Sequence, residues 1–141
     1  MLKKYNPKKI NGGWNNIPFL GYMDGTFIEI EYAEDAVTPH VGSQGDVSLV
    51  LNANRMATVT VTIIQGSPTN EKLSKQVPNS KLNSLPTGPI SISDLNGTTL
   101  VSGKDAFIKK TAKIEFGKNL TGRQWVFMIP DADINVGTGG D

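Results

Sequence analysis

The chain has no cysteine and a single histidine, His40. The first absence excludes disulfides, thiolate metal sites and cysteine nucleophiles, and it fits a reducing compartment. The second leaves one residue through which any Ser-His-Asp triad would have to act. His40 stands between Pro39 and Val41 in a polar stretch, and no Gly-x-Ser-x-Gly elbow occurs anywhere. Long apolar runs are also missing; none approaches the roughly 20 residues of a membrane-spanning helix. The early lysines have no apolar stretch behind them, so neither a secretory leader nor a membrane is expected. Nor is there an excess of either charge: 14 Lys and Arg face 13 Asp and Glu, leaving +1. A nonspecific nucleic-acid binder usually carries a basic excess or stripe.

What is present points to β structure. At 141 residues the natural expectation is one domain spanning 1–141. A chain of this size can bury roughly two-thirds of its unfolded surface. Thr26–Tyr32 alternates with period 2, placing Ile28, Ile30 and Tyr32 on one face and Phe27, Glu29 and Glu31 on the other. Ala57–Ile64 splits more cleanly, with Val59, Val61 and Ile63 against Thr58, Thr60 and Thr62. Threonine is β-branched, so it suits a strand while presenting a polar surface. Asp46–Leu51 reads as a third strand, and the apolar faces of all three are expected to pack the core. Between the first two strands lies Ala33–Gly45, a long polar loop carrying Glu34, Asp35, Val37, Pro39, His40, Val41 and Gln44. Loops of this length usually carry function.

The remaining chain follows the same logic. Residues 1–9 form a basic N-terminal arm with Lys4, Tyr5, Lys8 and Lys9 as its contact candidates. Ile10–Tyr22 reads as a hairpin turning at Asn15-Asn16, since Asn tolerates positive φ. Ser67-Pro68 is a helix start, with Ser as cap, Pro in the first turn and Glu71 close behind. The helix is expected over about residues 68–77, stopped by Pro78. Val77–Pro89 reads as a loop. Asn96-Gly97 is a hairpin turn, with Thr98–Val101, Ala106–Ile108 and Ala112–Phe116 as short strands after it. Gln124–Ile129 is apolar on both faces, which predicts a strand covered on both sides. The Gly- and Asp-rich end, including residues 134–141, is expected to fray. The sum is a mostly-β domain, a sandwich or partly closed barrel of about eight or nine strands with one short flanking helix.

No set of residues forms a convincing reaction centre. Asp131 and Asp133 lack the glycine and distal glutamate of a calcium loop. Glu29 and Glu31 share a face, yet acid–base pairs normally need one carboxyl raised by burial. Gly42–Gly45 is glycine-rich without the Gly-Lys-Ser/Thr of a phosphate loop. Trp14 and Trp125 are core or interface anchors more readily than sugar platforms. The reading is therefore no enzyme, no metal and no cofactor.

The ordered motifs resemble a compact family of tail tube proteins from contractile-tailed bacteriophages. The matching stretches are residues 4–9 (Lys-Tyr-Asn-Pro-Lys-Lys), Asp24–Ile28, Glu34–Ala36, Val41–Gly42, Gly45–Val47 and Thr58–Thr62. Ser67–Asn70, Asp94–Leu100, Glu115–Lys118 and Arg123–Val126 complete the series. The resemblance implies a homo-oligomer of hexameric rings, stacked into a hollow conduit inside a contractile sheath. It implies tail sheath, tape-measure and baseplate or terminator proteins as partners. Double-stranded DNA would pass without specific binding. The protein would reside in the virion tail, after assembly in the host cytoplasm. Under it, Glu29, Glu31, Thr58, Thr60 and Thr62 are expected to line the bore, and Ala33–Gly45 to join subunits or rings. A tube subunit of a bacteriocin or secretion-like injection machine is an alternative, as is a sugar- or surface-binding β-sandwich.

Overall fold

The computed structural model describes residues 5–77 and 86–138. It is mostly β. In chain order the strands are β1 (Ile10–Trp14), β2 (Ile17–Pro18), β3 (Ile28–Tyr32), β4 (Val37–Val41), β5 (Val47–Leu51) and β6 (Ala57–Ile64). After α1 (Pro68–Ser74), the one α-helix among the described residues, come β7 (Gly88–Asp94), β8 (Leu100–Lys110), β9 (Gly122–Ile129) and β10 (Asp133–Asn135). Eight strands form one antiparallel sheet in the order β2-β1-β7-β8-β9-β6-β3, with β10 also on β8. β4 and β5 form a separate two-stranded ribbon.

β8 organises the sheet. Its first half pairs with β7 and β10, through Val101 opposite Ile92 and Ile134. Its second half pairs with β9, through Phe107 opposite Met128 and Ile108 opposite Phe127. The register slips in both ladders, between Gly88 and Ile90 and between Ile108 and Lys110. Such irregularities bend and twist strands and let one strand serve two sheet layers. The sheet thereby folds over itself without closing. Trp14 of β1 meets Phe127 of β9 with ring centroids 5.5 Å apart, and Phe19 meets the same ring at 5.4 Å. Gly103 sits in the bend, where a Cβ would collide with the Ile129 Cγ2 methyl.

The alternation in Ala57–Ile64 is realised residue by residue. Ala57, Val59, Val61 and Ile63 are buried, while Thr58, Thr60 and Thr62 are half-buried on the far side. Both tryptophans belong to the core rather than to a binding platform. Trp14 Nε1 donates to the Ala106 carbonyl at 2.8 Å, and Trp125 Nε1 donates to Asn70 Oδ1 at 2.9 Å. The helix starts where Ser67 and Pro68 indicate, and the Ser67 hydroxyl accepts from the Thr69 amide. Ser67 also donates to the Leu20 carbonyl at 2.7 Å, and Thr69 to the Pro18 carbonyl at 3.3 Å. These bonds fasten α1 to β2 and the residues just after it. The helix ends at Ser74 and turns follow to Val77. At Asn15 and Asn16 the φ values are 50° and 65°, the left-handed pair that a tight two-residue hairpin turn requires.

Several expectations change. Val37–Val41, read as loop, is a strand paired with β5. Thr98–Val101 and Ala106–Ile108 are parts of one continuous β8, because Gly103 bends the strand instead of ending it. Ala112–Phe116 pairs with no strand; after Lys110 the chain leaves the ladder. The C-terminal stretch does not simply fray: Asp133–Asn135 pairs with β8, and the Thr138 amide donates to Thr98 Oγ1 at 3.0 Å. β9 is covered on one face only, with Val126 and Met128 half-exposed. Gly88 and Pro89 open β7, whereas residues 78–85 of the expected loop lie outside the described residues.

Tyr22 adds one cost to this core. Its ring stacks on Phe27 at 4.7 Å, while its hydroxyl is buried with no hydrogen-bond partner among the described residues. Burial pushes the phenol up to about 12 from 10.0. The folded chain then holds this proton where the unfolded chain releases it. The resulting stability is full below pH 10 and is lost as pH rises from 10 towards 12. Tyr22→Phe should remove the orphaned hydroxyl and raise stability by about 1–3 kcal/mol. Urea titrations should also show a weaker fall in stability between pH 10 and 12 for this variant; an unchanged pH slope would refute the assignment.

Candidate functional site

Two surfaces stand out once the core is accounted for. The first is the outer face of the sheet half β3-β6-β9-β8. In antiparallel ladders directly opposed residues share a face. Glu29 lies opposite Thr60, and Glu31 opposite Thr58. Across β6, Thr58, Thr60 and Thr62 oppose Met128, Val126 and Gln124. Beyond them, Phe107 opposes Met128 and Lys110 opposes Val126. The five residues expected to line a bore therefore share one face, and Glu29, Glu31, Thr58 and Thr60 frame a shallow hollow of about 130 Å³. The surface grades from acidic at β3, through threonine, to apolar and then basic at β8. Val126, Met128, Phe107 and Lys110 were not legible as members, since only the pairing of β9 with β8 brings them there.

The second surface is the β4–β5 hairpin. Every residue from Glu31 to Leu51 is exposed. The register pairs Val37 with Leu51, Pro39 with Leu49 and Val41 with Val47. One face of the ribbon is thus made of six apolar side chains. The other carries Thr38, His40, Ser48 and Val50. The apolar face of Asp46–Leu51, expected in the core, instead faces solvent; Leu49 is 71% exposed. Only the base is anchored, by the Asn52 amide on the Ala36 carbonyl at 2.9 Å and by Asn52 Nδ2 on Glu34. Asp35, Glu34 and Gln44 flank the ribbon and are exposed. Fully covering a Val or Leu is worth about 1.5–3 kcal/mol. A lone two-stranded ribbon is marginal in water. Such a face is built to be covered.

The N-terminal arm divides. Asn6 receives and gives hydrogen bonds with Asn96, through its amide to Oδ1 at 3.0 Å and its carbonyl from Nδ2 at 2.9 Å. This ties the Pro7–Lys9 3-10 turn to the domain and leaves Tyr5, Lys8 and Lys9 exposed. Lys4 lies outside the described residues.

Other cavities are less organised. One, of about 790 Å³, is an open groove beside Arg55, Ser102, Lys104, Asp131 and Asp133. Its Arg55–Asp131 pair, 3.5 Å apart, is exposed on both sides. Among the described residues no group of three or more His, Cys, Asp or Glu could hold a metal ion. His40 stands alone on the hairpin, opposite Ser48.

Both the graded outer face and the projecting apolar ribbon fall within the region that a family comparison matches. A model described as "Bacteriophage PhiTE tail tube protein" matches residues 21–137. The chain belongs to this tail tube family. The match spans β3 to β10, including both surfaces. Two solved structures share the fold. One is the tube terminating cap of the anti-feeding prophage, with TM-score 0.61 and 11% identity over 96% of this chain and 93% of that one. The other is the PVC sheath/tube terminator of an extracellular contractile injection system, in the extended state. It gives TM-score 0.63 and 10% identity over 96% of this chain and 99% of that one. No curated protein matches the chain. Membership gives this tail tube family chain a structural role related to phage tail tubes.

Replacing Val37–Leu51 with a short Gly-Ser linker should leave the domain folded, because those side chains touch solvent on both faces. Urea unfolding should shift by no more than about 0.5 kcal/mol, while sedimentation should show loss of self-association. A collapse of stability would mean that the ribbon belongs to the fold.

Proposed function

We propose that the chain is the repeating subunit of a phage tail tube. Copies assemble as hexameric rings, and the rings stack into a hollow conduit for double-stranded DNA inside a contractile sheath. The observation that carries this reading is the continuous outer face of β3-β6-β9-β8. Its two free edges are β3, with Glu29 and Glu31, and the second half of β8, with Lys109 and Lys110. Head-to-tail copies would set the acidic edge of one beside the basic edge of the next and continue the sheet around a ring. Such pairing removes exposed strand edges, and a heterologous contact that closes gives a ring.

In that ring Thr58, Thr60 and Thr62 line the bore, with acidic and basic side chains alternating where subunits meet. A wall with little net charge does not grip phosphates, so DNA slides instead of sticking. The β4–β5 hairpin joins copies within or between rings. The sheath encloses the outside, with tape-measure, baseplate and terminator proteins completing the tail. Assembly takes place in the host cytoplasm, and the protein acts as a scaffold and not as an enzyme.

The likeness to a tube cap and a tube terminator favours a second reading, in which the chain forms one ring that ends a tube. Electron microscopy of purified protein separates the two. A repeating subunit makes tubes, whereas a terminator makes isolated rings. Strict monomers at high concentration, even with a tail initiator complex present, would refute both.

A bore assignment makes a separate demand. Thr58→Lys and Thr60→Lys should preserve assembled tails yet lower DNA delivery, measured as infectivity per assembled particle. Undiminished infectivity would place that face away from the bore.

A further inference from the structure

A second exposed apolar surface lies far along the chain from the hairpin, on Thr111–Thr121. This segment belongs to no strand or helix and bends at Lys118 and Asn119. Ile114, Phe116 and Leu120 project from it, and Phe116 is 84% exposed. The segment is held firmly all the same. Ala112 is buried at one end. The Glu115 carbonyl accepts from Thr121 Oγ1 and from Arg123 Nη2, each at 3.1 Å. Arg123, itself buried, lies 5.5 Å from the Phe116 ring centroid and donates to Thr121 Oγ1 at 2.7 Å. A fixed aromatic shelf is thus presented to solvent without an occupant.

Charge relates the two surfaces. Residues 10–54, which include the hairpin, carry six Asp or Glu and no Lys or Arg. Residues 104–123, which include the shelf, carry six Lys or Arg and two acids. The acids flank the hairpin's apolar face, with Glu34 and Asp35 before β4 and Asp46 before β5. Lysines flank the shelf, at Lys113, which also pairs with Glu115 at 2.8 Å, and at Lys118. Apolar centres ringed by opposite charges are the arrangement of a specific protein interface.

We propose that the apolar face of the β4–β5 hairpin of one copy docks on the Thr111–Thr121 shelf of another. The occupant of the shelf is a second copy of this chain, and the contact is heterologous, so each copy both gives a hairpin and receives one. The inference rests on the self-assembly reading and names the partner surface that reading leaves open.

The absence of native cysteine allows a direct test. Single cysteines are placed on the hairpin at Val41, Leu49 or Leu51 in one batch of full-length chain. In a second batch they are placed at Ile114, Phe116 or Leu120, with Leu95→Cys as an exposed control. The batches are mixed under assembly conditions and oxidised. Dimers containing one chain of each batch should form between hairpin and shelf cysteines and be absent with the Leu95 control. Assembled rings or tubes without any hairpin–shelf cross-link, or with cross-links to Leu95 instead, would overturn the docking while leaving self-assembly intact. Monomers throughout would overturn self-assembly itself and the docking with it.

Mixing two blocked variants supplies an independent readout. Leu49→Asp keeps its shelf and Phe116→Asp keeps its hairpin. Each alone should lose hairpin-dependent association, while their mixture should recover a discrete one-to-one complex in light scattering. Failure to recover it, with both variants folded by circular dichroism, would count against the pairing.

Discussion

The fold depends on one close approach, the bend of β8 at Gly103 against Ile129. A side chain at Gly103 would strike Ile129 and hold the two halves of the sheet apart. With glycine there, the half built on β1 and β7 turns over the half built on β6 and β9. Trp14 and Phe19 then reach Phe127 from across the interior. Aromatic contacts of this kind add to the area they bury. Because Trp14 also donates to Ala106, in the strand that bends, the same residue fixes both the packing and the angle.

This arrangement consumes one face of each strand in the sheet and leaves the other outside. Val59, Val61 and Ile63 go inward with Trp125, Phe127 and Ile129, so the threonines, Val126, Met128 and the glutamates must share the outer face. The β3-β6-β9-β8 half has two exposed edges, acidic at Glu29 and Glu31 of β3 and basic at Lys109 and Lys110 of β8. Exposed edges are a liability in a lone domain and an asset in an assembly. The hairpin carries the same logic further, since its apolar face is exposed among the described residues. A single chain of this kind is best understood as part of a larger object, which agrees with its membership of a tail tube family.

Local rules were sufficient where neighbours in sequence supply the cause. The Ser67-Pro68 helix start, the Asn15-Asn16 turn and the alternation of Ala57–Ile64 all rest on contacts within a few residues. The same rules misled at β4 and β10. Pro39 and His40 made Val37–Val41 look like loop, although Val37, Pro39 and Val41 alternate in step with Val47, Leu49 and Leu51. Proline is tolerated there because the ribbon is all edge. Asp133–Asn135 is too short to show a period and gains strand geometry only from lying beside β8. Ala112–Phe116 has the alternation of a strand, yet it pairs with no strand among the described residues.

The sequence by itself determined the β class, the single helix and the division of strands into apolar and polar faces. Those are properties of side-chain spacing, and spacing survives without a fold. Only the tertiary structure decided which apolar faces enter the core and which remain uncovered. The alternation of Val47, Leu49 and Leu51 looks the same as that of Val59, Val61 and Ile63, but β6 lies between two partners while β5 has only β4. What covers a face is a non-local fact, set by chain segments tens of residues away.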